Sequence, residues 1–91
     1  MIDFIGFLVT VVAMVFKYPS IDLVKTGNNI TKLMKEKNIK VSDLQEAFGF
    51  EYPQAIYKWR RGECLPTLDN LIVLASIFEV SIDKIIITNV Y

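Results

Sequence analysis

Basic side chains gather in two short stretches of this 91-residue chain. They are Lys32, Lys35, Lys37, Lys40, Lys58, Arg60 and Arg61. Amines and guanidinium groups clustered in this way attract the phosphates of a polyanion. Asp69, Glu79 and Asp83 come later in the chain, so one side can be basic although the formal net charge is +0. The alternative interpretation is that these are ordinary solvated charges.

The inventory of reactive side chains argues against catalysis. The chain has no His and a single Cys, Cys64. The usual ligand sets for a metal cannot be assembled, and neither can a nucleophile–His pair. We therefore predict no enzyme activity, no cofactor and no metal. One Cys forms no intramolecular disulfide, which is typical of the reducing cytoplasm; Cys64 itself is expected to be a small half-buried residue.

The chain divides into two parts, predicted as residues 1–26 and 27–91. Residues 4–16 are a nearly continuous apolar run, shorter than the roughly 20 residues of a bilayer span. Three interpretations stay open: a dimerisation arm or covering segment, a weakly membrane-associated segment, or a stretch ahead of a true start at Met14. Of the possible partners, a membrane is less favoured than a polyanion or a second copy of the chain, although the apolar run does not exclude it. Lys17–Thr26 is predicted to be an extended lead-in, because Pro19 disfavours helix before it.

Apolar periodicity and punctuation predict five helices after this lead-in. The first three predicted ranges are Asn29–Lys37, Val41–Phe48 and Pro53–Arg61. Thr67 caps a fourth helix that runs to about Phe78, and Ser81 caps a short fifth helix. Gly27 and Asn28 punctuate the start, and Gly49 and Gly62 end the second and third helices. The predicted fold class is an all-α, compact five-helix bundle with an apolar N-terminal extension of uncertain structure.

The same periodicity predicts which side chains face the core. The inward residues are Ile30, Leu33, Met34, Val41, Leu44, Ala47, Phe48, Ile56, Trp59, Leu68, Leu71, Leu74, Ala75, Phe78, Ile82, Ile85 and Ile86. Trp59 shares its face with Ile56, which favours core packing over stacking on a ligand. Tyr52 and Tyr57 stay open between packed surface aromatics and phosphate-bonding hydroxyls.

The end of the third helix and the segment that follows it contain a specific sequence pattern. Residues 59–71 read W-R-R-G-E-C-L-P-T-L-D-N-L. This pattern resembles the Cro/C1 repressor-type (XRE) helix-turn-helix family, whose members run W-x-R-G and then x-x-L-P-S/T-x-x-N-L. The resemblance covers about Asn29 to Ile86 and implies a lambda repressor-like DNA-binding fold.

The resemblance implies which residues of this domain read bases and which contact phosphates. The turn would be Gly49–Tyr52, and the helix Pro53–Arg61 would enter the major groove of double-stranded DNA. The implied base-reading residues are Pro53, Gln54, Ala55 and Lys58. Gln suits adenine, Lys suits guanine and Ala can lie against a thymine methyl. The implied phosphate contacts are Lys40, Val41, Ser42, Tyr52, Tyr57, Arg60 and Arg61.

Three departures from the family pattern bear on this site. The turn F-E-Y-P is one residue longer than usual, which leaves the rotation of the third helix open. Lys40 stands where the family has a Ser or Thr N-cap. Met34 and Arg60 replace an Arg–Glu pair that many members bury, so we expect Met34 in the core and Arg60 turned outward toward DNA.

These features together predict a small prokaryotic or phage transcription regulator. It would be cytoplasmic and would bind a two-fold operator as a homodimer, with Ile82–Tyr91 or the N-terminal arm as the dimer surface. The alternative is a protein-interaction module, such as an antitoxin-like or phage control protein, that uses the same fold.

Overall fold

A computed structural model describes residues 19–90, which form four α-helices, one 3-10 turn and a pair of short strands. The elements are β1 (Pro19–Ile21), α1 (Leu23–Glu36), α2 (Val41–Phe48), α3 (Gln54–Arg61), α4 (Leu68–Phe78), the 3-10 turn (Ile82–Lys84) and β2 (Thr88–Val90). Within 19–90, no helix has the length and apolar character needed to cross a membrane. The apolar run 4–16, with its three interpretations, lies outside the described residues.

The first helix begins earlier than its periodicity indicates. Asp22 caps α1 by accepting a hydrogen bond from the backbone N–H of Lys25 at 2.8 Å. The predicted start at Asn29 and the predicted extended lead-in are therefore wrong from Leu23 onward. Gly27 and Asn28, predicted to punctuate the start, lie inside the helix, although Gly inside a helix costs about 1 kcal/mol relative to Ala. The packing of the helix explains why Gly is present.

Gly27 lies where α1 crosses α3 at close range. A Cβ at this position would sit 2.4 Å from the backbone oxygen of Trp59 and 2.6 Å from that of Arg60. Gly62, just after α3, faces α1 in the same way and is held at φ 76°, a left-handed conformation. The two glycines let the backbones of α1 and α3 approach more closely than any side chain would allow.

One apolar core lies between the helices. It contains Ile30, Leu33, Met34, Leu44, Ile56, Trp59, Leu71, Leu74, Phe78 and Ile85. The predicted inward faces of the first four helices are confirmed, with two exceptions. Ala47, predicted on the inner side of α2, is exposed. Leu68, predicted to face inward, is 66% exposed, because it stands in the first turn of α4 at the edge of the core.

The predicted fifth helix is wrong. Only a single 3-10 turn forms at Ile82–Lys84, and the chain then runs as β2, antiparallel to β1, with Ser20 opposite Asn89. The β-branched sequence from Ile85 to Thr88 favours extended backbone over helix. An all-α description therefore fails at this strand pair, although the fold is mostly helical.

The C-terminal segment packs into its own domain. Ile85 is fully buried, and Ile82, Ile86 and Ile87 are half-buried. This contradicts the reason for expecting a dimer surface there, since these apolar side chains already have partners. Exposed apolar side chains lie on α4, at Leu68, Ile72 and Val73, and also at the start of the domain, at Ile21, Leu23 and Val24.

Polar groups of α1 hold this segment in place. The buried Thr26 hydroxyl accepts the N–H of Ile87 at 2.9 Å. The Asn29 amide donates to the carbonyls of Lys84 at 2.7 Å and Ile85 at 2.9 Å. Asn29, predicted as the first residue of the helix, therefore lies inside α1 and ties it to the C-terminal segment. Each bond satisfies a backbone group that neither helix nor strand pairs.

Gly27→Ala tests the helix crossing. Overpacking costs about 1–3 kcal/mol, and the helix propensity gained by Ala returns about 1 kcal/mol. Because the obstructing atoms are backbone, we expect a net loss of about 1–2 kcal/mol in the free energy of unfolding, measured by urea denaturation. The exposed neighbouring Asn28→Ala should change it by less than about 0.5 kcal/mol. Equal or greater stability of Gly27→Ala would show that α1 and α3 lie further apart.

Acid titration tests the Asp22 cap. The Lys25 N–H, followed by the Asn89 side-chain amide, holds the pKa of Asp22 below its usual value. A lowered native pKa stabilises the fold above the aspartate range near pH 4, and this stability is lost as the pH falls through the native pKa. Asp22→Asn should therefore be less stable than wild type at pH 7, and thermal melts should show the two converging below about pH 4. The Ser81 hydroxyl lowers the pKa of Asp83, but Asp83 is present in both proteins and cancels in the comparison. A stability difference between the two proteins that does not change with pH would contradict the role of Asp22.

Candidate nucleic-acid interface

The α2–turn–α3 unit is fixed at its corner by backbone and amide bonds. Gly49 ends α2 in the left-handed conformation, with φ 69°. The N–H of Phe50 donates to the carbonyl of Gln45 at 3.0 Å. The Gln45 side-chain amide then donates to the carbonyl of Glu51, also at 3.0 Å. These contacts hold the long turn in one conformation, so the orientation of α3 relative to α2 is defined.

Three aromatic rings pack under this turn. The rings of Phe48 and Phe50 stack with centroids 5.1 Å apart. Both meet the Trp59 ring edge-on, at 5.6 Å and 6.1 Å. Trp59 is only 4% exposed, which confirms its predicted place in the core. The aromatic cluster of Phe48, Phe50 and Trp59 joins the turn to the inner face of α3.

The outer face of α3 is polar and exposed. Ile56 and Trp59 point inward, while the exposed residues of the helix are Gln54, Tyr57, Lys58 and Arg61. The spacing i, i+3, i+4 and i+7 places these four residues on one side of an α-helix. The arrangement offers an amide, a phenol and two cations along a ridge about two turns long.

The predicted base-reading residues divide into two groups. Gln54 and Lys58 lie on the outer face of α3. Ala55 is half-buried and packs against the core. Pro53 is also half-buried. It is the N-cap residue of α3, so the helix begins at Gln54, one residue later than predicted.

The start of α2 presents backbone N–H groups, as any helix N-terminus does. Lys40 is the N-cap residue, and its side chain makes no capping bond. The Asp43 carboxylate instead accepts the N–H of Lys40 at 2.8 Å. Ser42 is exposed and Val41 half-buried. An anion approaching Val41 and Ser42 therefore meets the charge of Asp43 as well as the Lys40 ammonium.

The two arginines of α3 have different partners. Arg61 forms an ion pair with Glu63, in which both side chains are largely exposed. Arg60 is half-buried, and its Nε donates to Thr31 Oγ1 of α1 at 3.0 Å. Met34 is a core residue, as predicted. Arg60 pairs with no carboxylate among residues 19–90, but its Nε bonds to α1, so the side chain is not turned fully outward as predicted.

The remaining predicted residues lie at the surface. Tyr52 is 63% exposed, and Tyr57 is exposed beside Arg60, whose guanidinium lies 5.9 Å from the Tyr57 ring centroid. Cys64 is exposed, so its predicted half-burial is wrong. Within residues 19–90, no group of three or more Cys, Asp or Glu side chains could hold a metal ion.

Sequence reasoning missed three residues of this site. Thr31, Gln45 and Phe50 act through contacts across the fold rather than along one helix. Helical periodicity places Thr31 and Gln45 only on outer faces, and Phe50 lies in a turn where periodicity carries no information. The one available signal was Phe48-Gly-Phe50, since an apolar residue just after a helix-ending Gly commonly packs back on the helix.

Comparison with known proteins gives a family and a fold. The model of the Cro/C1-type HTH DNA-binding domain matches residues 29–90. The restriction-modification controller protein C.AhdI from Aeromonas hydrophila is similar in structure, with TM-score 0.62 and 23% identity over 70% of this chain and 96% of that chain. The DNA-binding domain of BldD has TM-score 0.60 and 15% identity over 71% and 93%. No curated protein matches the sequence. At these identities the structural likeness shows the fold alone.

Phe50→Ala tests whether the aromatic cluster supports the turn. Truncating a fully buried Phe costs about 3–5 kcal/mol; Phe50 is half-buried, so we expect about 2 kcal/mol in the free energy of unfolding. Phe50→Leu, which keeps apolar volume without the ring, should cost clearly less. Urea denaturation measures both. A loss below about 0.5 kcal/mol for Phe50→Ala would mean that the turn is held by its backbone bonds alone.

Proposed function

This chain belongs to the family of Cro/C1-type helix-turn-helix DNA-binding domains, and we propose that it is a small prokaryotic or phage transcription regulator that reads duplex DNA with α3 in the major groove. The family is one of DNA-binding domains and not of enzymes, in agreement with the sequence prediction. The partner is double-stranded DNA.

The outer face of α3 is the observation that carries this proposal. Gln54 and Lys58 are exposed on it, while the opposite side is fixed in the core by Ile56 and Trp59. A helix fits the major groove, where each base pair presents its own pattern of donors and acceptors. Side chains used for such reading must be free of protein partners yet stand on a rigid backbone.

Gln54 and Lys58 are the proposed principal base readers. A Gln side chain pairs bidentately with adenine N6 and N7, and a Lys ammonium donates to guanine O6 or N7. Pro53 and Ala55 complete the proposed base-reading set with apolar contacts, Ala55 against a thymine methyl. Their half-burial limits them to bases that come close to the start of α3.

The proposed phosphate contacts surround this face. They are Lys40, Val41, Ser42, Tyr52, Tyr57, Arg60 and Arg61. Most of the contacts that position a protein on DNA go to phosphate oxygens, from cations, hydroxyls and backbone N–H groups alike. Glu63 competes with phosphate for Arg61, because the two side chains already form an ion pair. The neutral net charge of the chain likewise keeps affinity for DNA of arbitrary sequence low.

Binding as a homodimer is the further part of the proposal. Two copies can each place one α3 in successive major grooves, about one helical turn apart, so the operator would have two-fold symmetry. The exposed apolar side chains of Leu68, Ile72 and Val73 on α4 support a contact with protein. If a different protein occupies that surface, the same observation favours the alternative of a protein-interaction module.

Selection of binding sites from a randomised duplex pool tests the proposal. We expect the full chain to enrich a two-fold motif and Gln54→Ala/Lys58→Ala to lose it, at about 1–3 kcal/mol for each base pair read. The matched control is Asn28→Ala/Lys84→Ala, which removes an amide and an ammonium from exposed positions outside α3. The control should enrich the wild-type motif. Salt-sensitive binding without any enriched motif would contradict sequence reading by α3 and leave the protein-interaction alternative.

A further inference from the structure

We propose that Thr31 is a positioning residue that holds the Arg60 guanidinium ready for a phosphate of the DNA backbone. This inference deepens the proposed function and rests on it. Nothing in the helix-turn-helix pattern assigns a role to Thr31, since it lies on α1 and its hydroxyl faces another helix.

The Thr31 hydroxyl is held in one orientation by two hydrogen bonds. It donates to the carbonyl of Gly27 at 3.1 Å. Its oxygen accepts the Nε–H of Arg60 at 3.0 Å. Because the hydroxyl proton is directed to Gly27, a lone pair of the oxygen is directed to Arg60. The close approach of α1 and α3 at Gly27 sets the distance between the two side chains.

The bond to Thr31 uses only the Nε edge of the guanidinium. Within the described part of the chain the two Nη atoms make no hydrogen bond, and their N–H groups form a fork that matches two oxygens of a phosphate. Among residues 19–90, the ion pairs are Lys32–Glu36 and Arg61–Glu63, so Arg60 has no carboxylate counterion there. A half-buried cation whose two Nη groups are oriented, and which has no anionic partner within residues 19–90, is suited to bind an anion from outside the domain.

Tyr57 flanks this guanidinium on the side of the outer face of α3. The guanidinium carbon of Arg60 lies 5.9 Å from the Tyr57 ring centroid, within range of a cation–π contact. Thr31 and Tyr57 thus restrain Arg60 from two sides. Restraining a long side chain before binding reduces the conformational entropy that the complex would otherwise lose.

A backbone contact leaves a signature that base reading does not. Phosphates are present at every step of a duplex, so Arg60 and Thr31 should influence all sequences alike. Gln54 and Lys58 should influence only the selected motif. Salt dependence adds a second signature, because each phosphate neutralised contributes about one unit to the slope of log K against log salt.

The test measures the affinity of the full chain for the selected duplex and for a scrambled duplex across a salt series. Arg60→Gln should weaken both complexes by roughly 10-fold and reduce the salt slope by about one. Thr31→Val removes the acceptor while keeping the shape. It should weaken both by roughly 3- to 10-fold with little change in slope, because the charge is still present. Thr31→Ser, which retains the hydroxyl, should bind as wild type does.

A double-mutant cycle separates positioning from a simple tie between helices. In the Arg60→Gln background, Thr31→Val should have no further effect on affinity. Thermal melts of each variant give the folded fraction, and binding is measured well below the melting temperature. Thr31→Val with lowered stability but wild-type affinity would overturn the proposal and make the bond structural only, as would effects of the two substitutions that simply add.

The outcomes also distinguish this inference from the proposed function. If wild type enriches a motif that depends on Gln54 and Lys58, but neither Thr31→Val nor Arg60→Gln weakens binding, only the positioning role is overturned. If wild type binds neither duplex, the proposed function and this inference are overturned together.

Discussion

The backbone contact between α1 and α3 is the constraint on which the rest of the structure depends. Gly27 lies against the carbonyls of Trp59 and Arg60, and Gly62 lies against the backbone of Val24. With no Cβ at either point, the first turns of α1 lie directly against the end of α3, and Ile30, Ile56 and Trp59 close the core beneath them. Ordering the two glycines costs conformational entropy. The burial of apolar side chains between α1 and α3 offsets this cost, and that burial would be incomplete if the two helices lay further apart. The outward presentation of α3 follows from this contact.

Local regularity explains how much of this arrangement the sequence predicts. The bounds of α2 and the glycines that end α2 and α3 follow from periodicity and from the left-handed preference of Gly, and both agree with the structure. Gly27 shows the limit. Its local preference indicates a break, yet a contact with residues 32 or more positions away makes it an internal helix residue. The pairing of β1 with β2 could not be predicted for the same reason, because Ser20 and Asn89 are far apart in sequence and are brought together only by the folded core.

The residues of the candidate site also divide into those that local helical regularity predicts and those that depend on contacts between elements. Residues that face solvent from one helix, such as Gln54 and Lys58, follow from that helix alone. Their neighbours depend on two elements at once. The pairing of Arg61 with Glu63 crosses the end of α3, and the bond between Arg60 and Thr31 crosses from α3 to α1. A sequence pattern shows which positions carry charge, but it does not show which charges already have an ionic partner in the fold. The cations without such a partner attract a polyanion most strongly.

The antiparallel pairing of β1 with β2 places Pro19 directly opposite Val90. The two ends of the described chain therefore meet, and residues 19–90 trace a nearly closed ring through four helices. A fold of this kind is defined by its packing and not by where along the ring the chain is opened. A short linker between residues 90 and 19, with a new opening in the exposed loop at Glu63 and Cys64, would give a circular permutant with the same helices in a different order. Any segment joined at either end would likewise leave the domain from one shared point.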